Sequence, residues 1–361
     1  MEPDFFAYLP LEIIPKILLR LSVRTIAIGK CVCKSWLDLF SSDDFVDLHF
    51  SQSSPALAVL MRSDRCTLFG ITDQLDRPCI PLINSPFPHG VAIDGAAGGM
   101  LLLTFAGTQT EIETLRVCNP ITRECVELCC PPPPLAMEFG PRTVYGFGAS
   151  KTSGEYKVVR ISPYPDCHVY TLGPVEMWRC VEMNNSLNYE DDGCSCGAFV
   201  NGNLHWLVYS DLDGSAWISC FDLEAECFTA FSVPLSYESL SVLRDCLCVC
   251  EYTLDNEIVI WTMKEYGVDQ SWAKEYVISR NPGFDRRGYK SVYPIKVFEN
   301  GDILMLWGAK FLMYYSKEMR TTQEIGGFES EGYTCNRMIV TPSLVTLKRL
   351  GMENVISILA D

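Results

Sequence analysis

The chain has 361 residues, of which 48% are hydrophobic, so it can bury a substantial core in one large domain or in a small domain joined to a large one. Its formal net charge of -16 argues against a nucleic-acid partner, because phosphate backbones attract basic surfaces. No apolar run reaches a membrane-spanning length, and the first residues, Met1-Glu2-Pro3-Asp4, are acidic where a secretory signal is basic. We therefore expect a globular protein that is neither exported nor inserted in a membrane.

Eighteen cysteines occur as C-x-C groups, as one adjacent pair and as single residues, and no C-x-x-C spacing is present. Cysteines two apart on a strand point to the same face, which is typical of a core, whereas zinc modules more often have two to four intervening residues. We expect reduced core cysteines, no disulfide framework, no metal and no cofactor. Reduced cysteines are typical of proteins in the cytoplasm and/or nucleus, and we expect this protein there.

The first forty-odd residues have a helical pattern. Ile14, Ile17, Leu18 and Leu21 lie three, four and seven positions apart, on one stripe of a helix. We expect three short helices, the first from about residue 12 to Ser22, the second near 25–28 and the third near 30–40. A unit this small cannot bury such a stripe by itself. Either the rest of the chain or another protein must cover it.

After residue 50 the pattern changes to short apolar or alternating runs bounded by Gly, Asn, Asp or Pro, with no long amphipathic helix between them. This pattern excludes a doubly wound sheet and favours an antiparallel all-β domain. The runs are 57–61, 100–104, 158–161, 204–208, 217–221, 247–250, 258–261 and 303–307.

A weak internal repeat sharpens this prediction. A turn precedes an apolar strand at Gly99-Met100, Gly202-Asn203, Asp245-Cys246 and Gly301-Asp302, and a second element follows near Asn119, Asp222, Thr262 and Ser316. Such hairpin pairs, recurring about every 40 to 50 residues, predict a β-propeller of six or seven blades. A large β-sandwich is the alternative, but the periodic tryptophans fit radial repetition better, as side chains that pack between blades.

These residues also carry a family resemblance. Leu9-Pro10, the stripe through Leu21 and the run Cys31-Val32-Cys33-Lys34-Ser35-Trp36 resemble the F-box. The remainder resembles the plant F-box-associated, kelch-like domain, through Asn119-Pro120-x-Thr122, Tyr145-Gly146-Phe147-Gly148, Tyr156-Lys157-Val158-Val159, 197–206, 258–261 and Pro342-Ser343-Leu344-Val345. The resemblance implies two domains: F-box helices over residues 1–48 and the β domain over residues 49–361.

The resemblance further implies the substrate-recognition subunit of an SCF-type (Skp-cullin-F-box) E3 ubiquitin ligase. The F-box would dock on a Skp-family adaptor, and through it on cullin and RING subunits, while the β domain recruits an unknown protein client for degradation. By motif position, the apolar contact or its immediate support would come from Leu9, Pro10, Ile14, Ile17, Leu18, Leu21, Val32 and Trp36.

Two positions depart from the family pattern. Ser22 stands where many relatives have Pro, and Gly29 stands where a large apolar residue is usual. Glycine within a helix costs about 0.5 to 1 kcal/mol relative to alanine, so a weaker adaptor affinity is expected. The alternative for the whole segment is a helical cap folded onto the β domain, with no adaptor contact.

Catalytic residues are not indicated. None of the four histidines lies in a nucleophile, metal or phosphate motif, and His205 is expected to be a hydrogen-bonded framework residue. A stand-alone β-propeller that binds proteins or glycans remains the alternative function, and an enzyme is the third class. The client-binding residues are unknown, although the longer polar connections 184–193, 209–214 and 280–290 are candidates.

Overall fold

The structure is a computed structural model. It describes residues 13–61, 65–74, 78–86, 91–105, 114–130, 143–162, 166–175, 177–183, 188–189, 197–209, 215–234, 239–253, 255, 257–279, 292–308, 310–328 and 337–358.

Four short helices open this part of the chain: α1 (Ile13–Leu18), α2 (Val23–Gly29), α3 (Lys34–Ser41) and α4 (Asp43–Gln52). The first three correspond to the predicted helices: α1 is shorter than predicted, α2 extends beyond residues 25–28 at both ends, and α3 begins later than residue 30. The fourth begins with Asp43 and Asp44 in its first turn, where the helix dipole favours negative charge. It continues past residue 48, and the predicted domain boundary there stays a prediction. None of the helices in the described ranges is long and apolar enough to cross a membrane.

Six antiparallel sheets follow, arranged as the blades of a β-propeller. Blade 1 contains β1 (Ala56–Met61), β2 (Arg65–Ile71) and β3 (Cys79–Pro86). Blade 2 contains β4 (Val91–Ala97), β5 (Met100–Phe105), β6 (Thr114–Asn119) and β7 (Glu124–Leu128). Blade 3 contains β8 (Val144–Ala149), β9 (Tyr156–Ser162), β10 (Asp166–Thr171) and β11 (Trp178–Val181).

Blade 4 contains β12 (Asn188–Tyr189), β13 (Ala198–Val200), β14 (Asn203–Tyr209), β15 (Ala216–Asp222) and β16 (Cys227–Ser232). Blade 5 contains β17 (Ser239–Leu243), β18 (Cys246–Tyr252), β19 (Glu257–Met263) and β20 (Trp272–Ser279). Blade 6 contains β21 (Val292–Val297), β22 (Ile303–Trp307), β23 (Phe311–Ser316) and β24 (Thr321–Gly327). The last strands are β25 (Arg337–Val340) and β26 (Ile356–Ser357).

The ring is closed by the C-terminal part of the chain. β25 pairs antiparallel with β1, with Ala56 opposite Val340, and so becomes the first strand of blade 1. β26 pairs with the outer strand of blade 2, where Ile356 lies opposite Cys125. Both pairings cover strand edges that would otherwise expose unpaired backbone groups. Closure therefore joins residues from the two ends of the β domain.

The predicted repeat corresponds to the blade structure. Its first element starts the second strand of blades 2, 4, 5 and 6, since β5, β14, β18 and β22 begin at or next to the turn residues. Its second element falls at the end of the third strand, at Asn119 in blade 2 and Asp222 in blade 4. The prediction of helices followed by a β-propeller is confirmed, with six blades, and the sandwich alternative is wrong.

The helices share an apolar core with the first two blades. Phe40, Ile26 and Leu18 are almost completely buried there. The same core takes in residues of blade 1 and blade 2, including Leu60, Leu68, Ile93 and Leu101. The helical segment is thus packed onto the propeller through one side, as part of one continuous core.

One cysteine pair differs from the prediction. Cys118 on β6 and Cys125 on β7 face each other across the hairpin, with Cα atoms 4.1 Å apart, and form a disulfide. The expectation of reduced cysteines was wrong at this pair, because the turn between β6 and β7 sets which residues lie opposite each other, and the sequence did not show where this turn begins and ends. Others are free and buried as expected, such as Cys66, where burial raises the thiol pKa to about 12.

Candidate functional site

Several large apolar side chains of the helices remain exposed after the propeller has covered one side. Ile13 and Ile17 on α1 are 41% and 43% exposed, Ile28 on α2 is 63%, Val32 in the following turn is 64%, and Leu37 on α3 is 44%. We refer to these five residues as the helical apolar face. A contiguous exposed apolar patch is typical of a protein-binding surface, and these five residues are the candidates for such a patch.

The structure describes six of the eight residues predicted from the motif, and they differ in exposure. Ile17 and Val32 belong to the helical apolar face, whereas Leu18 is only 2% exposed and lies in the core. Ile14, Leu21 and Trp36 are partly buried and pack against that core, so they support the surface from below. Leu9 and Pro10 lie outside the described residues. Direct contact with an adaptor stays a prediction for the exposed members.

The motif did not point to Ile13, Ile28 or Leu37, which the structure leaves exposed. Their only sequence signal is apolar character next to the stripe. Helical spacing shows which residues share a face, but it does not show which face the propeller covers. That depends on how the helices pack.

An aromatic group supports this surface from inside. Phe40 is fully buried and forms edge-to-face ring contacts with two neighbours. The ring centroids of Phe40 and Trp36 are 5.6 Å apart, and those of Phe40 and Phe45 are 5.2 Å apart. Gly29 makes the packing possible, because a Cβ atom there would lie 2.6 Å from Cε2 of Phe40. The unusual glycine is therefore explained by close packing within the domain.

The second departure from the family pattern also has a local role. Ser22 is the N-cap of α2, and its Oγ accepts a hydrogen bond from the backbone N–H of Thr25 at 3.2 Å. This bond satisfies one of the N–H groups that a helix start leaves without a partner. Nearby, Nε2 of His49 on α4 lies 3.1 Å from the carbonyl oxygen of Leu21, which connects α4 to the turn between α1 and α2.

The chain enters the propeller at one defined end. Ala56 starts β1 opposite the last residue of β25, just as Asn203 starts β14 opposite Val200, the last residue of β13. At this end the first and second strands of the blades are joined, and α4 leads into it. We call it the helix-side end.

The other end, which we call the loop-side end, is where second strands lead into third strands and where one blade leads into the next. The candidate connections 209–214 and 280–290 join strand ends there, between β14 and β15 and between β20 and β21. Segment 184–193 likewise lies between β11 and β13. Most of these three segments lies outside the described residues, and their role in binding a client stays a prediction.

A cavity of about 740 Å³ follows the propeller axis. Its wall includes residues from the first strand of each blade: Arg337, Ala96, Val144, Ala198, Ser241 and Tyr293. The guanidinium of Arg337 lies over the Tyr293 ring, 3.2 Å from its centroid. The volume is in the range of small-ligand pockets.

The histidine on this wall is a framework residue, as the sequence predicted. His205 is fully buried, with Nδ1 3.0 Å from the carbonyl oxygen of Ala198 and Nε2 2.9 Å from the Tyr266 hydroxyl. Burial lowers the pKa of its ring to about 4. A neutral ring with both nitrogens engaged does not present a base to the cavity.

Comparison with protein families matches residues 6–48 to the F-box domain and residues 97–343 to the F-box associated beta propeller domain. The chain belongs to the plant F-box proteins with a C-terminal associated domain. Curated relatives agree with this assignment. The F-box protein CPR1 of Arabidopsis thaliana is 26% identical over 76% of this chain and 74% of its own length. F-box protein At3g07870, also of Arabidopsis thaliana, is 25% identical over 86% and 85%.

The kelch-like character has support from one further relative. The F-box/kelch-repeat protein At3g23880 of Arabidopsis thaliana is 26% identical over 74% of this chain and 78% of its own length. Among solved structures, TolB from Acinetobacter baumannii aligns with a TM-score of 0.43 at 12% identity, over 83% of this chain and 71% of TolB.

F-box proteins typically act as substrate receptors of SCF ligases, and an F-box domain in general binds a Skp-family adaptor. Proteins with this domain pair are of the adaptor type.

Proposed function

We propose that this F-box protein is the substrate-recognition subunit of an SCF ubiquitin ligase in the cytoplasm and/or nucleus. The helical apolar face docks on a Skp-family adaptor, which joins cullin and RING subunits. The propeller recruits a protein client for ubiquitination. Ubiquitin transfer is carried out by the assembled ligase, and the chain itself is not an enzyme.

The observation that supports this proposal most directly is the exposed apolar surface of the helices. Ile17, Ile28 and Val32 remain between 43% and 64% exposed although other apolar side chains of the same helices are buried in the core that they share with the propeller. Fully burying one such side chain stabilises a complex by roughly 1.5 to 3 kcal/mol. Each of the five side chains is already partly buried, so covering the rest of it contributes only part of that amount. Such a gain helps to offset the entropy lost on association.

The layout of the propeller also supports a receptor. The helices join it at the helix-side end, where α4 leads into β1, and the candidate client connections join strands at the loop-side end. The helical apolar face and the candidate client connections are different parts of the chain, so an adaptor and a client need not compete for the same residues. Loops on a rigid ring are suited to recognition because they vary while the blades hold their positions.

Adaptor capture tests the proposal. Full-length protein carrying Ile17→Asp or Val32→Asp is compared with wild type for binding to a purified Skp-family adaptor by calorimetry. A charge buried in an apolar contact without a partner is strongly unfavourable, so we expect affinity to fall by more than about tenfold, or about 1.4 kcal/mol. Leu9→Ala with Pro10→Ala, from the motif itself, should act in the same direction.

Met319→Asp is the matched control, because Met319 is an apolar side chain that is 71% exposed on the propeller, in the turn after β23. It should bind the adaptor as wild type does. Thermal unfolding of each variant checks that the domains remain folded. If wild type binds no adaptor, or if Ile17→Asp and Val32→Asp bind as tightly as Met319→Asp, the assignment is wrong and a stand-alone binding propeller becomes the better interpretation.

A further inference from the structure

Three metal-ligand side chains meet at the outer part of blade 3. Asp166 and His168 are two residues apart on β10, so their side chains point to the same face of the sheet. Cys180 on β11 is directly opposite His168 in the strand register. The sequence did not predict this group, because the cysteine comes from a different strand and no C-x-x-C or H-x-H spacing marks it.

The distances between their donor atoms suit one ion. Nδ1 of His168 is 3.2 Å from Oδ1 of Asp166, and Sγ of Cys180 is 3.9 Å from the same oxygen. One ligand atom from each of the three residues lies within 4.8 Å of the other two. Ligands of a tetrahedral zinc ion, at about 2.0 to 2.3 Å from the metal, are roughly 3.3 to 3.8 Å apart.

The histidine shows a second feature that points to a ligand. Its Nδ1 is buried and makes no hydrogen bond of acceptable geometry, although the Asp166 oxygen is close. Buried polar atoms in folded proteins nearly always have a partner, and an ion is one accepted explanation for an exception. A metal between the nitrogen, the carboxylate and the thiolate would supply that partner for Nδ1.

We propose that Asp166, His168 and Cys180 form a zinc site with three protein ligands and an open fourth position. Thiolate and imidazole ligands together favour zinc over the hard cations Mg²⁺ and Ca²⁺, which prefer oxygen alone. On binding, the Cys180 thiol loses its proton to solvent and its sulfur coordinates the ion. No electron transfer is involved, so the step is a proton-for-metal exchange.

Arg160 adds a positive charge on the strand next to the proposed site. It lies across from His168 on β9, is 3% exposed, and its Nε and Nη1 have no hydrogen-bond partner in the structure. Zinc with one thiolate and one carboxylate is neutral, so the nearby guanidinium leaves one positive charge uncompensated. An anionic fourth ligand, such as hydroxide or a carboxylate from solution, would balance this charge.

The position of the site suggests a structural effect. Asp166 is the first residue of β10, at the loop-side end, and Cys180 lies on β11, the outermost strand of the blade. Zinc would tie these two strands together beside the end at which the candidate client connections leave the blades. We expect the metal to stabilise blade 3, since an ion that binds only the folded state adds its binding free energy to stability.

Cobalt substitution tests the site with the full-length protein under a non-chelating reductant. Co²⁺ added to metal-free wild type should give a thiolate-to-cobalt charge-transfer band and tetrahedral d–d bands that saturate at one ion per chain. Zn²⁺ should abolish these bands by displacement and should raise the melting temperature. Cys180→Ser should lose the charge-transfer band and the zinc-dependent shift.

Cys227→Ser is the control, because Cys227 is another exposed free cysteine on an outer strand, β16 of blade 4. It should keep the wild-type spectrum and the zinc shift. The proposal is overturned if wild type gives no charge-transfer band, or if Cys180→Ser gives the same band as Cys227→Ser. An unchanged melting temperature of each metal-free variant shows that folding is intact.

Discussion

Arg349 and Asp47 form a bidentate ion pair between the C-terminal segment and helix α4. Nη1 and Nη2 of the arginine donate to the two carboxylate oxygens at 2.8 Å and 2.7 Å. Nε of the same arginine is 2.9 Å from a carboxylate oxygen of Asp43, one turn earlier on α4. The hydrogen bonds from Arg349 lower the pKa of Asp47. The segment that follows the ring-closing strand is thereby connected to the helices.

This connection should be weak but measurable. The side chains of Arg349 and Asp47 are 30% and 62% exposed, so solvent screens their attraction. A double-mutant cycle of Arg349→Ala and Asp47→Ala in urea unfolding should give a coupling free energy of about 0.5 to 1 kcal/mol. The coupling should shrink in 1 M salt. A coupling of zero at low salt would mean that the pair does not hold the two segments together.

Gly29→Ala should destabilise the F-box helices, although alanine is the better helix former. The substitution gains about 1 kcal/mol of helix propensity, but its Cβ would lie 2.6 Å from the buried Phe40 ring. Overpacking of this kind costs about 1 to 3 kcal/mol. We expect a net loss of about 1 kcal/mol in the free energy of unfolding. In a Phe40→Leu background, which removes the ring, Gly29→Ala should cost less; an equal or larger cost there would contradict this explanation.

Stability should fall in acid partly because of His205. Its pKa is about 4 in the folded protein, lowered by burial, against an ordinary value of 6.5. Between these pH values the unfolded chain therefore binds more protons than the folded protein. The stability associated with the neutral, buried ring is present above pH 6.5 and is lost as the pH falls towards 4. The loss amounts to about 3 kcal/mol. His205→Gln should show a smaller decrease in unfolding free energy between pH 7 and pH 4; equal slopes would show that the ring does not resist protonation.

Glu226→Gln should destabilise the contact between blades 3 and 4. Glu226 accepts hydrogen bonds from Nζ of Lys157 at 2.9 Å and from Arg179 at 2.6 Å and 2.7 Å. The Lys157 side chain is only 6% exposed, and its Nζ otherwise donates to the carbonyl oxygen of Leu223 at 2.7 Å, so removing the nearer carboxylate leaves a buried charge poorly compensated. We expect a loss of about 2 to 3 kcal/mol in urea unfolding.

The control for this prediction is Glu155→Gln. Glu155 is 55% exposed and 3.9 Å from the same lysine nitrogen, so its removal should change stability by less than about 0.5 kcal/mol. Similar losses for both variants would indicate that burial of Lys157 is not the reason for the effect.

The sequence by itself determined the order of the domains and the class of each. The stripe from Ile14 to Leu21 predicted helices because helical spacing is a local property, and the turn-and-strand repeat predicted a propeller because each hairpin is formed by neighbouring residues. The motif run ending at Trp36 was sufficient to indicate the F-box.

Only the tertiary structure decided which of these residues are available. Leu18 is sealed and Ile17 is exposed although both lie on α1, because burial depends on where the propeller packs. The closure of the ring by β25 and the meeting of His168 with Cys180 depend on pairing between strands. Such pairings join residues from different strands, and hydrophobic periodicity within one segment shows which face of a strand is buried but does not identify the strand with which it pairs.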